Sequence, residues 1–258
     1  MTGGQPGAAA RVTWLGHSSV LIEQDGVRVL TDPVLRRRLA HLRRPSAVDP
    51  AAVADTDVIL ISHVHHDHLD MPSLAQVGRA TPIVVPRGGA GGLRRRGFGH
   101  VVEATPGDVI EIAGMRAVAT PAEHDARRLP GGRRVPALGY VVEGRSRIYF
   151  AGDTDLFDGM RELAPGLDVA LLPIAGWGPR LPPGHLDAVR AVRALGLLRP
   201  RVAIPIHWGT YTRIGLHRDE AAPARRFAAL AAEEAPDVDV RVLPVGGSVE
   251  VPVEAAVG

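Results

Sequence analysis

The chain has 258 residues, 45% of them hydrophobic and 22% charged, long enough to bury a core without a covalent staple. It has no cysteine, which excludes disulfides and thiolate metal sites, so any bound metal takes nitrogen and oxygen ligands. All 30 basic residues are arginine; the resulting isoelectric point of about 9.6 reads as the coding bias of a GC-rich genome rather than as a polyanion-binding surface, because the formal charge is only +2.

The opening segment "MTGGQPGAAARVTWLG" has no apolar run of signal-peptide length, and later apolar runs are cut by Gly, Pro or charge before they could span a bilayer. The expectation is a cytoplasmic protein with no transmembrane segment. Residues 1 to about 10 read as a flexible tail. Short β-branched runs then predict strands at 11–14, 20–23 and 27–31, the last two joined by the turn "EQDG". The arginine-rich stretch "LRRRLAHLRR" at 35–44 reads as a solvated face or loop. A continuous apolar strand is expected at 58–62, followed beyond the histidines by a helix with Pro72 near its start and Gly78 past its end.

Strands follow at 83–85, 101–103, 109–112, 116–120, 138–143, 147–150, 169–172, 202–205 and 240–243, with helices near 187–198 and 219–234. The Gly- and Pro-rich "GWGPRLPPG" at 176–184 reads as a loop. No linker or short repeat interrupts the chain, so 1–258 is expected to form one α/β domain. Two strand-rich halves, each with helices, fit two sheets packed face to face with helices outside.

The segment "VILISHVHHDHLD" at 58–70 places four histidines and two aspartates in its last eight positions. If the strand ran on past Ser62, His63, His65 and Asp67 would share a face and His66 would point away. A turn after Asp67 would return His68 to the same pocket. That density of imidazole and carboxylate predicts a metal site, and further donors should stand beyond other strands. His124 in "AVATPAEHD", Asp153 in "IYFAGDTD" and His207 in "AIPIHWGT" occupy such places.

"HVHHDH" with these three later sites resembles the metallo-β-lactamase superfamily of metal-dependent hydrolases, from "VTWLGHSSVLIE" to "IHWGT". "TDP", "AGDTD" and "PIHWGT" resemble the branch of L-ascorbate-6-phosphate lactonase and N-acylphosphatidylethanolamine phospholipase D. The resemblance implies a four-layer αβ/βα sandwich. It implies that His63, His65 and His124 hold one metal, Asp67, His68 and His207 a second, and Asp153 bridges them. Asp32 of "TDP" is then either a residue orienting a ligating imidazole or an ordinary turn aspartate.

The donors suit two divalent ions, Zn²⁺ first, with Mn²⁺ or Fe²⁺ open. The activity implied is hydrolysis of a small ester-type substrate, a lactone or phosphodiester, by a metal-bound hydroxide. Asp67 could also accept a proton. His185 in "PPGHLDAVRA" is read as a substrate contact or proton donor, with a plain helix-entry histidine as the rival, and His17 in "LGHSS" as lining the site. Trp177, Arg180 and the arginines Arg127, Arg128, Arg133 and Arg134 are read as a lid over an anionic substrate. His41, His66, His100 and His217 carry no assignment. The alternatives are a phospholipase D-like or nuclease phosphodiesterase and, from another class, a non-hydrolytic metal-binding or redox protein of the same fold. Redox proteins of this kind usually carry glutamate at the position of His65. Nucleic acid is not the expected partner, and nothing bears on oligomeric state.

Overall fold

The computed structural model describes residues 10–128, 131–132, 134–176, 181–215 and 219–251. Trp177, Arg180, Arg133 and His217 lie outside the described residues.

Two seven-stranded sheets form the centre. In spatial order the first contains Ser248–Val251, Ala10–Gly16, Ser19–Gln24, Val27–Thr31, Val58–Leu60, Ile83–Pro86 and Val101–Ala104. Its first four strands pair antiparallel and the remainder parallel. The second contains Asp239–Val240, Val202–Ile206, Val169–Pro173, Arg147–Phe150, Leu138–Glu143, Met115–Pro121 and Val109–Ile112. Here the first four strands are parallel and the rest antiparallel.

Alternation along the strands builds three apolar layers. Val20, Ile22, Val29 and Leu60 face Tyr140, Ile148, Phe150 and Ile204 between the sheets. Their neighbours Leu21, Leu30, Ile59 and Ile83 point outward and pack with Leu74 and Leu93 of the helices Met71–Val77 and Ala90–Arg94. On the far side, Val141, Tyr149, Ala170 and Leu172 meet Leu195 of Ala188–Leu198 and Phe227 of Ala222–Glu234. Helices therefore cover both outer faces, which gives the four-layer αβ/βα sandwich. The helix Ala188–Leu198 starts where Asp187 accepts the Arg190 N–H at 2.8 Å, and Met71–Val77 where Asp70 accepts from Ser73.

Several expected elements differ. The histidine-bearing strand ends at Leu60 rather than Ser62. Beyond it the chain is tied to both sheets: Ile61 N still donates to Val84 O at 2.9 Å, while Ile61 O accepts the Tyr140 hydroxyl and Ser62 O the Leu138 N–H, each at 2.8 Å. The strand expected at 240–243 is confined to Asp239–Val240, which pairs with Val202 and Ala203. The strand Ser248–Val251 was not anticipated; it pairs with Ala10–Gly16, so Ala10 is buried strand rather than tail.

The arginine-rich 35–44 stretch is not simply a solvated loop. It supplies Arg38–Leu39 and Leu42–Arg43 to a small sheet completed by Thr212–Arg213. Arg44 within it is buried, donates to Leu15 O at 2.7 Å and lies over the Tyr211 ring. Another pair of short strands, Ala126–Arg127 and Arg134–Val135, forms a ribbon.

The Tyr140 hydroxyl is the donor to a buried carbonyl at the root of the histidine segment. Tyr140→Phe is expected to lower unfolding stability by about 1–3 kcal/mol, read as a lower midpoint in urea; an unchanged midpoint would contradict that tie.

Candidate metal centre

The candidate donors gather where strands of both sheets end. His63, His65, Asp67 and His68 follow Val58–Leu60; His124 follows Met115–Pro121; Asp153 follows Arg147–Phe150; and His207 follows Val202–Ile206. Strand ends at the carboxyl edge of parallel sheets are where loops can converge without disturbing the ladder. The histidine segment is a tight turn, not continued strand, since His68 N and Leu69 N both donate to His65 O, at 3.2 and 2.9 Å. The turn thus begins at His65, earlier than expected, and carries Asp67 and His68 to the far side of the cluster. His66 is exposed.

Close approach of the loops depends on glycine at two positions. Gly152 has φ +60, and a Cβ there would stand 2.5 Å from Ser62 Cβ. Gly16 has φ +112, and its Cβ would stand 2.7 Å from Thr210. Three non-glycine residues of the site are also left-handed: His17 (φ 54), Asp32 (φ 34) and His207 (φ 62). Such backbone persists where surrounding structure holds it, and it concentrates at functional sites.

The first group is His63, His65 and His124. His63 Nε2 and His124 Nε2 lie 2.9 and 3.1 Å from His65 Nδ1. The opposite nitrogens set the tautomers. His124 Nδ1 donates to Gly184 O at 2.8 Å. Ser62 Oγ spends its proton on Asp32 at 2.5 Å, so His63 Nδ1 donates to Ser62 Oγ at 2.9 Å. Each Nε2 therefore presents a lone pair to the cluster. Burial holds all three imidazoles below their ordinary range, His124 at about 4, so they are neutral at pH 7.

The second group is Asp67, His68 and His207, with His17 beside it. His207 Nδ1 donates to Ala175 O at 2.8 Å, and His68 Nδ1 to Asp32 Oδ2 at 2.7 Å, so both Nε2 atoms face inward. His17 lies with Nε2 3.2 Å from Asp67 Oδ2 and its ring 3.9 Å from that of His207. Its carbonyl accepts from Trp14 Nε1 and His207 N, at 2.8 and 2.9 Å. Burial, then His207, takes the His17 imidazole down to about 3. Burial opposes ionisation of Asp67, yet His68 and His17 outweigh it and hold the carboxyl well below its usual range.

Asp153 stands between the groups. Its carboxylate oxygens lie 3.2 Å from His68 Nε2, 3.3 Å from His207 Nε2, 3.4 Å from His185 Nε2 and 3.9 Å from His63 Nε2. His185 enters two residues before the Asp187 cap, with Nδ1 donating to Pro182 O at 3.1 Å. It sits against the cluster rather than simply at a helix mouth. Burial lowers its basicity, but contact with Asp153 prevails and raises it.

Asp32 is fully buried and ties two elements together. It accepts from Ser62 N at 2.7 Å, from Ser62 Oγ and from His68 Nδ1. Ser62 and the carbonyls of Ala175 and Gly184 were not singled out by sequence reasoning. Backbone acceptors carry no side-chain signature, and Ser62 had only its place before His63. Nor was the bracing by arginine foreseen: Arg36 pairs with Asp70 at 2.8 Å, and Arg128 donates to Val64 O and Leu69 O at 2.9 and 2.6 Å.

Among the described residues, the buried His68 Nε2 and Asp153 Oδ1 have no well-aligned hydrogen-bond partner, although His68 Nε2 stands 3.2 Å from Asp153 Oδ2. Coordination of a cation is what would satisfy them, and the nitrogen–oxygen donor set fits a divalent metal.

A family model for the β-lactamase superfamily domain matches residues 27–208. The chain is 35% identical over 247 residues to a metal-dependent hydrolase of Methanopyrus kandleri, covering 93% of this chain and 99% of that one. It is 31% identical over 226 residues to an N-acyl-phosphatidylethanolamine-hydrolyzing phospholipase D of Caenorhabditis elegans, covering 77% of this chain and 64% of the relative. A solved metallo hydrolase from Ignicoccus hospitalis matches with a TM-score of 0.70 at 25% identity, covering 95% and 99% of the two chains. The chain belongs to the β-lactamase superfamily, among its metal-dependent hydrolases.

If Asp32 orients the His68 imidazole, Asp32→Ala should weaken metal binding by about 10–100-fold in competition with a chromophoric chelator. Unchanged affinity would leave Asp32 as a turn residue only.

Proposed function

We propose that the protein is a binuclear metal-dependent hydrolase of small ester-type substrates, a lactone or phosphodiester among them. The observation that carries this reading is the place of Asp153, within 3.9 Å of imidazoles from both histidine groups. His63, His65 and His124 would hold one ion, and Asp67, His68 and His207 the other, with Asp153 shared. Two bound divalent ions would supply positive charge that polarises the scissile group and acidifies the attacking water. Zn²⁺ suits the nitrogen-rich donors, and Mn²⁺ or Fe²⁺ would also fit them.

The remaining steps belong to the chain's own residues. Gly184 O, Ala175 O, Ser62 and Asp32 each engage the Nδ1 of one imidazole, which turns the four Nε2 atoms to the cluster. Asp67, held in its ionised form beside His68 and steadied by His17, is a ligand that could also accept a proton from the attacking water. His185 is the proton donor to the leaving group: its Nδ1–H is occupied by Pro182 O and its Nε2 faces the cluster beside Asp153.

A cavity of about 280 Å³ adjoins the second group, with His17, His207, Trp208 and Tyr211 on its wall. Asp187, Asp219 and Glu220 line it as well. Asp187 is engaged in capping its helix and Asp219 pairs with Arg225, so the wall offers polar contacts without excluding an anionic substrate. No helix among the described residues is long and apolar enough to cross a membrane.

His185→Ala is expected to lower kcat by about 10²–10⁴-fold while leaving metal content and KM close to those of the parent, measured on a panel of lactones and phosphodiesters. Activity on that panel should disappear on chelation and return with added metal. Chelator-resistant activity would overturn the reading, and an unchanged kcat in the variant would remove His185 from the chemistry.

A further inference from the structure

Val64, His66 and Leu69 alternate with the candidate ligands along the histidine turn. They face a second cavity, of about 490 Å³, on the turn's other side. That volume lies in the range of small-molecule sites, about 300–1,000 Å³. Met71 and Val135 continue its apolar wall, and Gly88, Gly89 and Gly92 form a stretch without side chains.

The polar groups of this cavity are of one sign. Arg95, Arg96 and Arg128 line it, and no carboxylate does so among the described residues. The nearby carboxylates are engaged elsewhere: Glu103 accepts the N–H groups of Gly88 and Ala90 at 3.0 and 3.1 Å, and Asp70 pairs with Arg36 at 2.8 Å. Arg128 uses Nη1 to hold Val64 O and Leu69 O, and Arg96 uses Nη1 on Gly92 O at 3.1 Å. Burial, and then Arg96 among its neighbours, draws Arg128 below its ordinary value against the pull of Asp70. Like-charged guanidiniums thus share one cavity with no carboxylate on its wall among the described residues.

We propose that this cavity binds a small phosphate monoester with an apolar body, the phosphate on Arg95, Arg96 and Arg128 and the body against Val64, Leu69, Met71 and Val135. A dianion matches three guanidiniums better than a carboxylate does, and their planar forks suit phosphate oxygens. The three arginines share one compact half-open cavity, which fits a small molecule rather than a nucleic-acid backbone, since the latter needs an extended basic track. Because Arg128 also grips two carbonyls of the histidine turn, a ligand held there is linked through one side chain to the segment that bears His65, Asp67 and His68. The site is independent of the metal reading and stands or falls without it.

The test uses chelator-treated protein at constant ionic strength, with phenyl phosphate, inorganic phosphate and benzyl alcohol titrated by calorimetry. Phenyl phosphate should bind saturably at one site per chain, inorganic phosphate more weakly, and benzyl alcohol not measurably. Arg95 and Arg96 are exposed, so the double variant Arg95→Gln/Arg96→Gln should keep the fold and lose at least about tenfold in affinity. His207→Ala, at the histidine cluster, should bind phenyl phosphate as the parent does. Loss of binding in His207→Ala with retention in the arginine variant would place the phosphate among the histidines and overturn the proposal. Absence of saturable binding to the parent would overturn it as well.

Discussion

A single buried carboxylate organises the site. Asp32 leaves the first sheet at the end of Val27–Thr31 with φ +34, its N–H on Leu60 O at 3.0 Å, and takes three hydrogen bonds from Ser62 and His68. Burial alone would drive its proton affinity up, and the raised value that results is restrained by His68 and Ser62. The carboxylate therefore stays paired only while the strand end, Ser62 and the returning His68 keep their places. Through Ser62 Oγ the same group sets the tautomer of His63, so one residue reaches a histidine in each of the two groups.

The remainder of the fold serves that convergence. Chain segments from both sheets must meet at one edge, and Tyr140, Leu138 and Gly152 clamp the root of the histidine turn to the second sheet. On the outer side Arg36 and Arg128 hold the end of the turn through Asp70 and two carbonyls. His17 and His207 are pinned from the other end, where Trp14 stacks on Trp208 with ring centroids 5.0 Å apart. Buried imidazoles this close would repel one another if protonated. Depressed basicity at His63, His65 and His124 leaves them as neutral donors, while acidic groups around His68 pull the other way and raise it despite burial.

Much of this is legible in the sequence, and the reasons are physical. Apolar alternation marked most of the strands, because each must bury one face between the sheets. The density of imidazole in "HVHHDH" marked a metal site, and recurrence of His or Asp beyond later strands pointed to His124, Asp153 and His207. The segment Ser248–Val251 escaped notice because its "SVEV" pattern is short and half exposed. The turn at His65 escaped too, since alternation assumes extended chain and cannot see the bonds to His65 O that close it. Arginine clusters are legible only in part, because composition alone cannot tell Arg44, buried over Tyr211, from its exposed neighbours.

The central claim is that Asp153 joins two groups of donors, each sufficient for one ion. Elemental analysis of protein saturated with Zn²⁺ and freed of excess tests it most directly. The account predicts two equivalents per chain, falling to one when His68 and His207 are replaced together by Ala. One equivalent in the parent, or two retained after that double replacement, would contradict it.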